Sequence, residues 1–98
     1  MEDLQCIYDK RKSFYGKAKV EKNIYIYKNT HEEDYRLFSY GTLVARYYNL
    51  NNKKTYYCFG KYSQTTTRHQ KEFFKQNGLS DKEIKELFKN GKLEKVVE

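Results

Sequence analysis

The chain has 98 residues, with 20 Lys and Arg against 13 Asp and Glu and a formal net charge of +7. This length suits one domain with a modest core and excludes a two-domain enzyme built around a deep cleft. The basic balance favours polyanionic partners (nucleic acid, an acidic protein face, an anionic membrane), although a lysine-rich surface also serves plain solubility.

The apolar material is mostly aromatic: 11 Tyr and 6 Phe, with no Trp and no Pro. So small a chain is not expected to bury every ring, so some should lie beside Lys and Arg. There they suit base stacking or a protein-binding hot spot. No apolar run approaches the ~18 residues of a membrane span. No signal-peptide pattern follows Met1, so a cytoplasmic protein with Cys6 and Cys58 as reduced thiols is expected.

Residues 1–10 are polar and are expected to fray or pair weakly. From Ser13 the chain alternates, with Phe14, Gly16, Ala18 and Val20 on one face and Tyr15, Lys17, Lys19 and Glu21 on the other, the pattern of a half-buried strand. Residues 24–28 form a second β-prone run, and residues 29–34 (NTHEED) read as a polar loop. Residues 35–40 and 42–48 predict two strands, or one broken at Gly41, with Arg46 and Tyr48 sharing a face. Residues 49–53 are turn-rich, and residues 54–61 predict another strand that carries Phe59 and Lys61. Short connections make an antiparallel meander the simplest topology.

After Tyr62 the period becomes helical. Thr67 and Gln70 match a capping box. Thr66, Gln70, Phe73 and Phe74 lie on one side of the helix, with Arg68, Lys71 and Lys75 on the other. Asn77-Gly78 ends it, and Leu79 is a candidate cap contact. Ser80 and Glu83 open a second helix with an apolar stripe of Ile84, Leu87 and Phe88, which Asn90-Gly91 stops. The tail from Lys92 forms a short strand or stays loose. The expected fold class is α+β, one domain over residues 1–98: an antiparallel four- or five-stranded sheet (residues 13–61) followed by two helices (residues 66–90) packed on one face.

The stretch Tyr62-Ser63-Gln64-Thr65-Thr66-Thr67-Arg68-His69 stands directly before that first helix. Its hydroxyls suit capping. Together with Arg68 and His69 they also suit an anion seat at a helix start, with Arg68 as a forked donor and His69 as a switchable one. A catalytic alternative would pair Cys58 or Ser63 with His69, but no spacing supplies an orienting third group. No paired Cys or His spacing suggests a metal, and no glycine-rich phosphate motif suggests a nucleotide, so no cofactor is expected. A helix-turn-helix reading of residues 67–90 fails because Phe74 is too large for a close crossing and the second helix is nearly neutral outside. A basic and aromatic surface built from Tyr15, Lys17, Lys19, Arg46, Tyr48 and Lys61, joined by Ser63, Thr65, Arg68, His69, Lys71 and Lys75, is the candidate partner-binding face.

Ser39-Tyr40-Gly41-Thr42-Leu43-Val44-Ala45, with Tyr62-Ser63-x-Thr65-Thr66-x-Arg68-His69 and Phe73, resembles a small uncharacterised domain of phage and plasmid proteins from low-GC Gram-positive bacteria. The resemblance covers about residues 14–78. It implies a mobile-element origin and action inside the host bacterial cell, with no activity attached. The leading expectation is a non-enzymatic accessory protein that binds nucleic acid or a nucleic-acid-bearing host complex. An inhibitor of a defence nuclease, of anti-CRISPR type, is one version. The alternatives are a homomeric module whose tyrosines form a dimer interface, and a small hydrolase or nuclease using His69.

Overall fold

Alternation of apolar and polar side chains lays out the centre of the chain as long antiparallel strands in the computed structural model, which describes residues 1–96. The elements are β1 (Glu2–Asp3), β2 (Ala18–Tyr27), β3 (Thr30–Ser39), β4 (Thr42–Leu50), β5 (Lys53–Cys58), α1 (Gln64–Gln76), α2 (Asp81–Asn90) and β6 (Lys92–Val96). They form one sheet in sequence order, β1-β2-β3-β4-β5-β6, with every neighbouring pair antiparallel. The α+β class holds, with six strands where four or five are expected, because the N-terminal residues and the tail both pair.

Two segments differ from the sequence reading. Residues 13–21 are not one strand. Lys12–Tyr15 is a 3-10 turn, which reverses the expected parity: Tyr15 is buried and Phe14 is exposed. The NTHEED segment is not a loop either. Lys28 and Asn29 make a two-residue turn, Lys28 taking the left-handed region at φ 52°, and β3 starts at Thr30. Its acidic residues are tolerated in the strand because they are bound. Glu33 accepts from Tyr35 Oη at 2.6 Å and Asn49 Nδ2 at 3.1 Å.

One face of the sheet carries Ala18, Val20, Leu37, Ala45, Tyr47 and Tyr56, and the helices cover it with Phe73, Phe74, Ile84 and Leu87. Burying each such large side chain stabilises by roughly 1.5–3 kcal/mol. Leu37 stands opposite Ala45 while Phe38 stands opposite Leu43, so Val44 is the extra residue of a bulge. That bulge turns Val44 and Ala45 both inward and leaves the Val44 carbonyl to accept from Gln70 Nε2 at 3.0 Å and Phe59 N at 3.1 Å.

The cap of α1 is Ser63, whose Oγ accepts from Thr66 N at 3.3 Å; the Thr67–Gln70 box does not form. At its other end Leu79 N donates to Phe74 O and Leu79 is buried, the expected cap contact. On α2 the Ser80–Glu83 box forms in both directions, and Gly91 ends the helix at φ 80°. No helix among the described residues is long and apolar enough to cross a membrane.

Candidate functional site

Four polar residues of α1 face inward, and each has a long-range partner. His69 is fully buried: its Nε2 meets the Phe14 carbonyl at 2.5 Å and its Nδ1 meets Ser39 Oγ at 2.8 Å. A carbonyl only accepts, so Nε2 carries the proton and Nδ1 takes the Ser39 hydroxyl. Ser39 Oγ also lies 2.9 Å from Thr66 Oγ1. The stretches 39–45 and 62–69 therefore meet at Ser39, Thr66 and His69, as a lock between β3 and α1. His69 is neither an anion donor nor a free base. Cys58 is buried, which pushes its thiol up to about 11, and Ser63 is occupied as the cap. The nucleophile–base pair considered from the sequence does not form.

Glu72 has an equally defined role that the sequence reading missed. It is 2 % exposed, and its Oε1 accepts from the backbone N–H groups of Tyr8 and Asp9, both at 2.8 Å. Its Oε2 accepts from Gln76 Nε2 at 2.7 Å, and that amide also donates to the Gln5 carbonyl. This clamp holds the N-terminal segment along α1. Asp9 completes it, accepting from Tyr15 Oη at 2.8 Å, Arg11 N at 3.1 Å and Arg68 Nη1 at 3.5 Å. The Arg11 backbone N–H, then the Tyr15 hydroxyl, hold the Asp9 carboxyl below the usual range despite partial burial. The sequence offers little signal for Glu72: it flanks the stripe of Thr66, Gln70, Phe73 and Phe74, and its burial follows from the N-terminal segment that packs beside it.

Between the clamped segment and the outer side of α1 runs a groove of about 710 Å³. Lys10, Arg11, Arg68, Lys71 and Lys75 line it, with Tyr8 and Tyr62 at its walls. Among the described residues its carboxylates are Asp9 and Glu72, whose oxygens are committed to the contacts just described. Among the described residues Lys10, Arg11 and Lys71 make no ion pair, whereas Lys75 reaches the exposed Asp81 at 3.0 Å. Arg68 is not the unsupported cation its helix position suggests: besides Asp9 it lies over the Phe14 ring at 5.2 Å.

The remaining expected residues do not join this groove. Tyr15 is interior, the parity having reversed. Lys17 is exposed in the turn before β2, and Lys61 is exposed in the connection before α1, because Gly60 at φ 81° takes the chain out of β5. Thr65 is half-buried in the first turn of α1. Lys19, Arg46 and Tyr48 lie on the sheet face that the helices leave open. There Lys19 pairs with Asp3, and Arg46 forks onto Asp34 at 2.8 and 3.0 Å between the Tyr48 and Tyr57 rings. The single surface expected from the sequence is thus two surfaces on opposite sides of the molecule, with Tyr15 and His69 in neither.

The chain belongs to a family of unknown function, DUF8033, whose profile matches residues 2–90. That match takes in α2, which the resemblance drawn from the two motifs left out. No curated protein and no solved structure matches the chain.

Proposed function

We propose that this protein is a non-enzymatic accessory protein that binds nucleic acid, or a host complex carrying nucleic acid, through the groove between its N-terminal segment and α1. The observation that carries the reading is the imbalance in that groove: five cations line it, and its two carboxylates face inward onto protein donors. Phosphates entering it meet Lys10, Arg11 and Lys71 without first breaking an ion pair, and Tyr8 and Tyr62, both largely exposed, offer rings to unstacked bases. The open sheet face is the weaker candidate, because Lys19, Arg46 and Lys92 already hold Asp3, Asp34 and Glu94. The narrower version, an inhibitor of a defence nuclease that competes with the enzyme's own nucleic acid, rests on the resemblance of the two sequence motifs to phage and plasmid proteins alone.

The test is the salt dependence of binding to labelled single-stranded RNA and DNA. Contact with five phosphates gives a slope near −3.5 in log affinity against log salt, about 100-fold over a fourfold rise in salt. Binding that is absent, or flat with salt, removes the nucleic-acid reading and leaves a protein target.

A further inference from the structure

The free edge of β2 is unlike any other surface of the molecule. β1 pairs with β2 only at Lys19 and Val20, so among the described residues 21–27 have no strand partner on that side, where the side-chain contact is Glu2 on Lys22 at 2.9 Å. Ile24, Tyr25, Ile26 and Tyr27 are 53 %, 57 %, 73 % and 70 % exposed, an uninterrupted apolar run that projects beyond the helices. The opposite edge, β6, reads Lys92-Leu93-Glu94-Lys95-Val96 and is protected by charge.

The direction of the backbone groups follows from the turn. Tyr27 and Thr30 flank a two-residue loop, and such flanking residues exchange both hydrogen bonds. Tyr27, Tyr25 and Asn23 therefore bond inward to β3, while Lys22, Ile24 and Ile26 turn their N–H and C=O groups to the open edge. The base of the strand obeys the same parity, Ala18 O accepting outward from Leu4 N at 2.9 Å.

We propose that this edge pairs with the same edge of a second copy, antiparallel about a two-fold axis at Ile24. Two observations, the centre of the bare stretch and the charges along it, select that register. Ile24 is the centre of the bare stretch, so a dyad there pairs residue 21 with 27′ and uses the whole edge up to the point where β1 begins. Partners share a sheet face, with Ile24 opposite Ile24′, Lys22 opposite Ile26′ and Tyr25 opposite Asn23′, giving about six main-chain hydrogen bonds. Charge agrees: a dyad at Tyr25 would oppose Lys22 and Lys28′, whereas at Ile24 Lys22, whose ammonium Glu2 holds at 2.9 Å, stands opposite Ile26′ and lays its stem over it. The two six-stranded sheets become one continuous sheet. Because each copy carries +7, this dimer tightens as salt rises, opposite to nucleic-acid binding in the groove, so failure of either reading is separable from the other.

Sedimentation equilibrium on the full chain, from micromolar to millimolar protein at low and high salt, tests the proposal. The expected result is a monomer–dimer equilibrium shifted to dimer by salt. Ile24→Pro removes an outward N–H without touching a β3 bond, and it should abolish the dimer while leaving the circular dichroism spectrum intact. If that variant fails to fold, mild oxidation of Ile24→Cys and Ile26→Cys decides. Ile24→Cys should give a covalent dimer at once, its Cα atoms being about 5.5 Å apart across the axis, and Ile26→Cys should give little. A monomer throughout, a dimer that survives Ile24→Pro, or equal cross-linking at both positions overturns the proposal.

Discussion

The two sides of α1 carry polar side chains in similar number and use them in opposite ways. Inward, Thr66, His69, Gln70 and Glu72 are all buried, and each meets a partner from a different part of the chain: Ser39, Phe14, Val44, and the Tyr8–Asp9 backbone. Outward, Lys71 has no protein partner among the described residues, and Lys75 reaches only the exposed Asp81. Removing a buried partner leaves an unsatisfied group, whereas removing an exposed cation leaves only water behind. The inner side therefore stores stability, and the outer side is free to be spent on binding.

His69→Ala should break this contrast most severely. It opens a cavity and strands the Ser39 hydroxyl and the Phe14 carbonyl, a loss of about 3 kcal/mol or more in a urea melt. A melt within error of the parent would show that the ring is not the lock between β3 and α1. Nucleic-acid affinity per folded molecule should hardly change, since His69 does not reach the groove.

Glu72→Ala comes next because it belongs to both sides. Losing two charge-assisted backbone hydrogen bonds should cost about 2–3 kcal/mol. Amide exchange at Tyr8 and Asp9 should speed up more than exchange in β4. The groove then loses the wall that carries Lys10 and Arg11, so affinity falls with stability. Unchanged exchange at Tyr8 and Asp9 would mean that something else holds the segment.

The outline of this arrangement is legible in the sequence, and its partners are not. Period-two runs mark β3, β4 and β5, and the 66–70–73–74 stripe marks the buried side of α1, because local spacing alone sets which side chains share a face. Ser63 escapes because any hydroxyl in Ser63-Gln64-Thr65-Thr66-Thr67 satisfies a capping rule. Thr66 instead spends its hydroxyl on Ser39, far away in the chain. Lys28-Asn29 lacks the glycine that usually announces a two-residue hairpin, so the acidic start of β3 looks like loop. His69 and Glu72 look like surface residues for the same reason: their long-range partners lie 30 to 64 residues upstream, and only the fold brings them within reach.

Asp9 makes a pH test of the clamp. Its folded pKa lies below the ordinary value, so its contribution to stability is complete above the unfolded carboxylate range and is lost as pH falls through that range towards the folded value. Asp34 on the open sheet face shifts the same way: burial would raise it, but the Arg46 fork and Arg36 outweigh burial. Asp9→Asn should flatten the acid limb of the stability profile while leaving Asp34's share in place. An acid limb identical to the parent's would place Asp9 outside the energetics of the clamp.

Lys71→Ala should have the smallest effect on stability and sharpens the comparison furthest. The side chain is exposed, makes no ion pair among the described residues and lines the groove, so the melt should move by no more than about 0.5 kcal/mol. If Lys71 neutralises one phosphate, its loss should reduce the salt slope for single strands by about 0.7 and weaken RNA and DNA by similar factors whatever their sequence. Lys53→Ala, an exposed cation at the start of β5 and away from the groove, is the matched control, with stability and slope both unchanged. Equal slopes for the parent and both variants would take the groove out of the binding reaction. A lower slope for Lys53→Ala alone would move the contact to the sheet, where Tyr48 and Tyr57 would become the stacking rings.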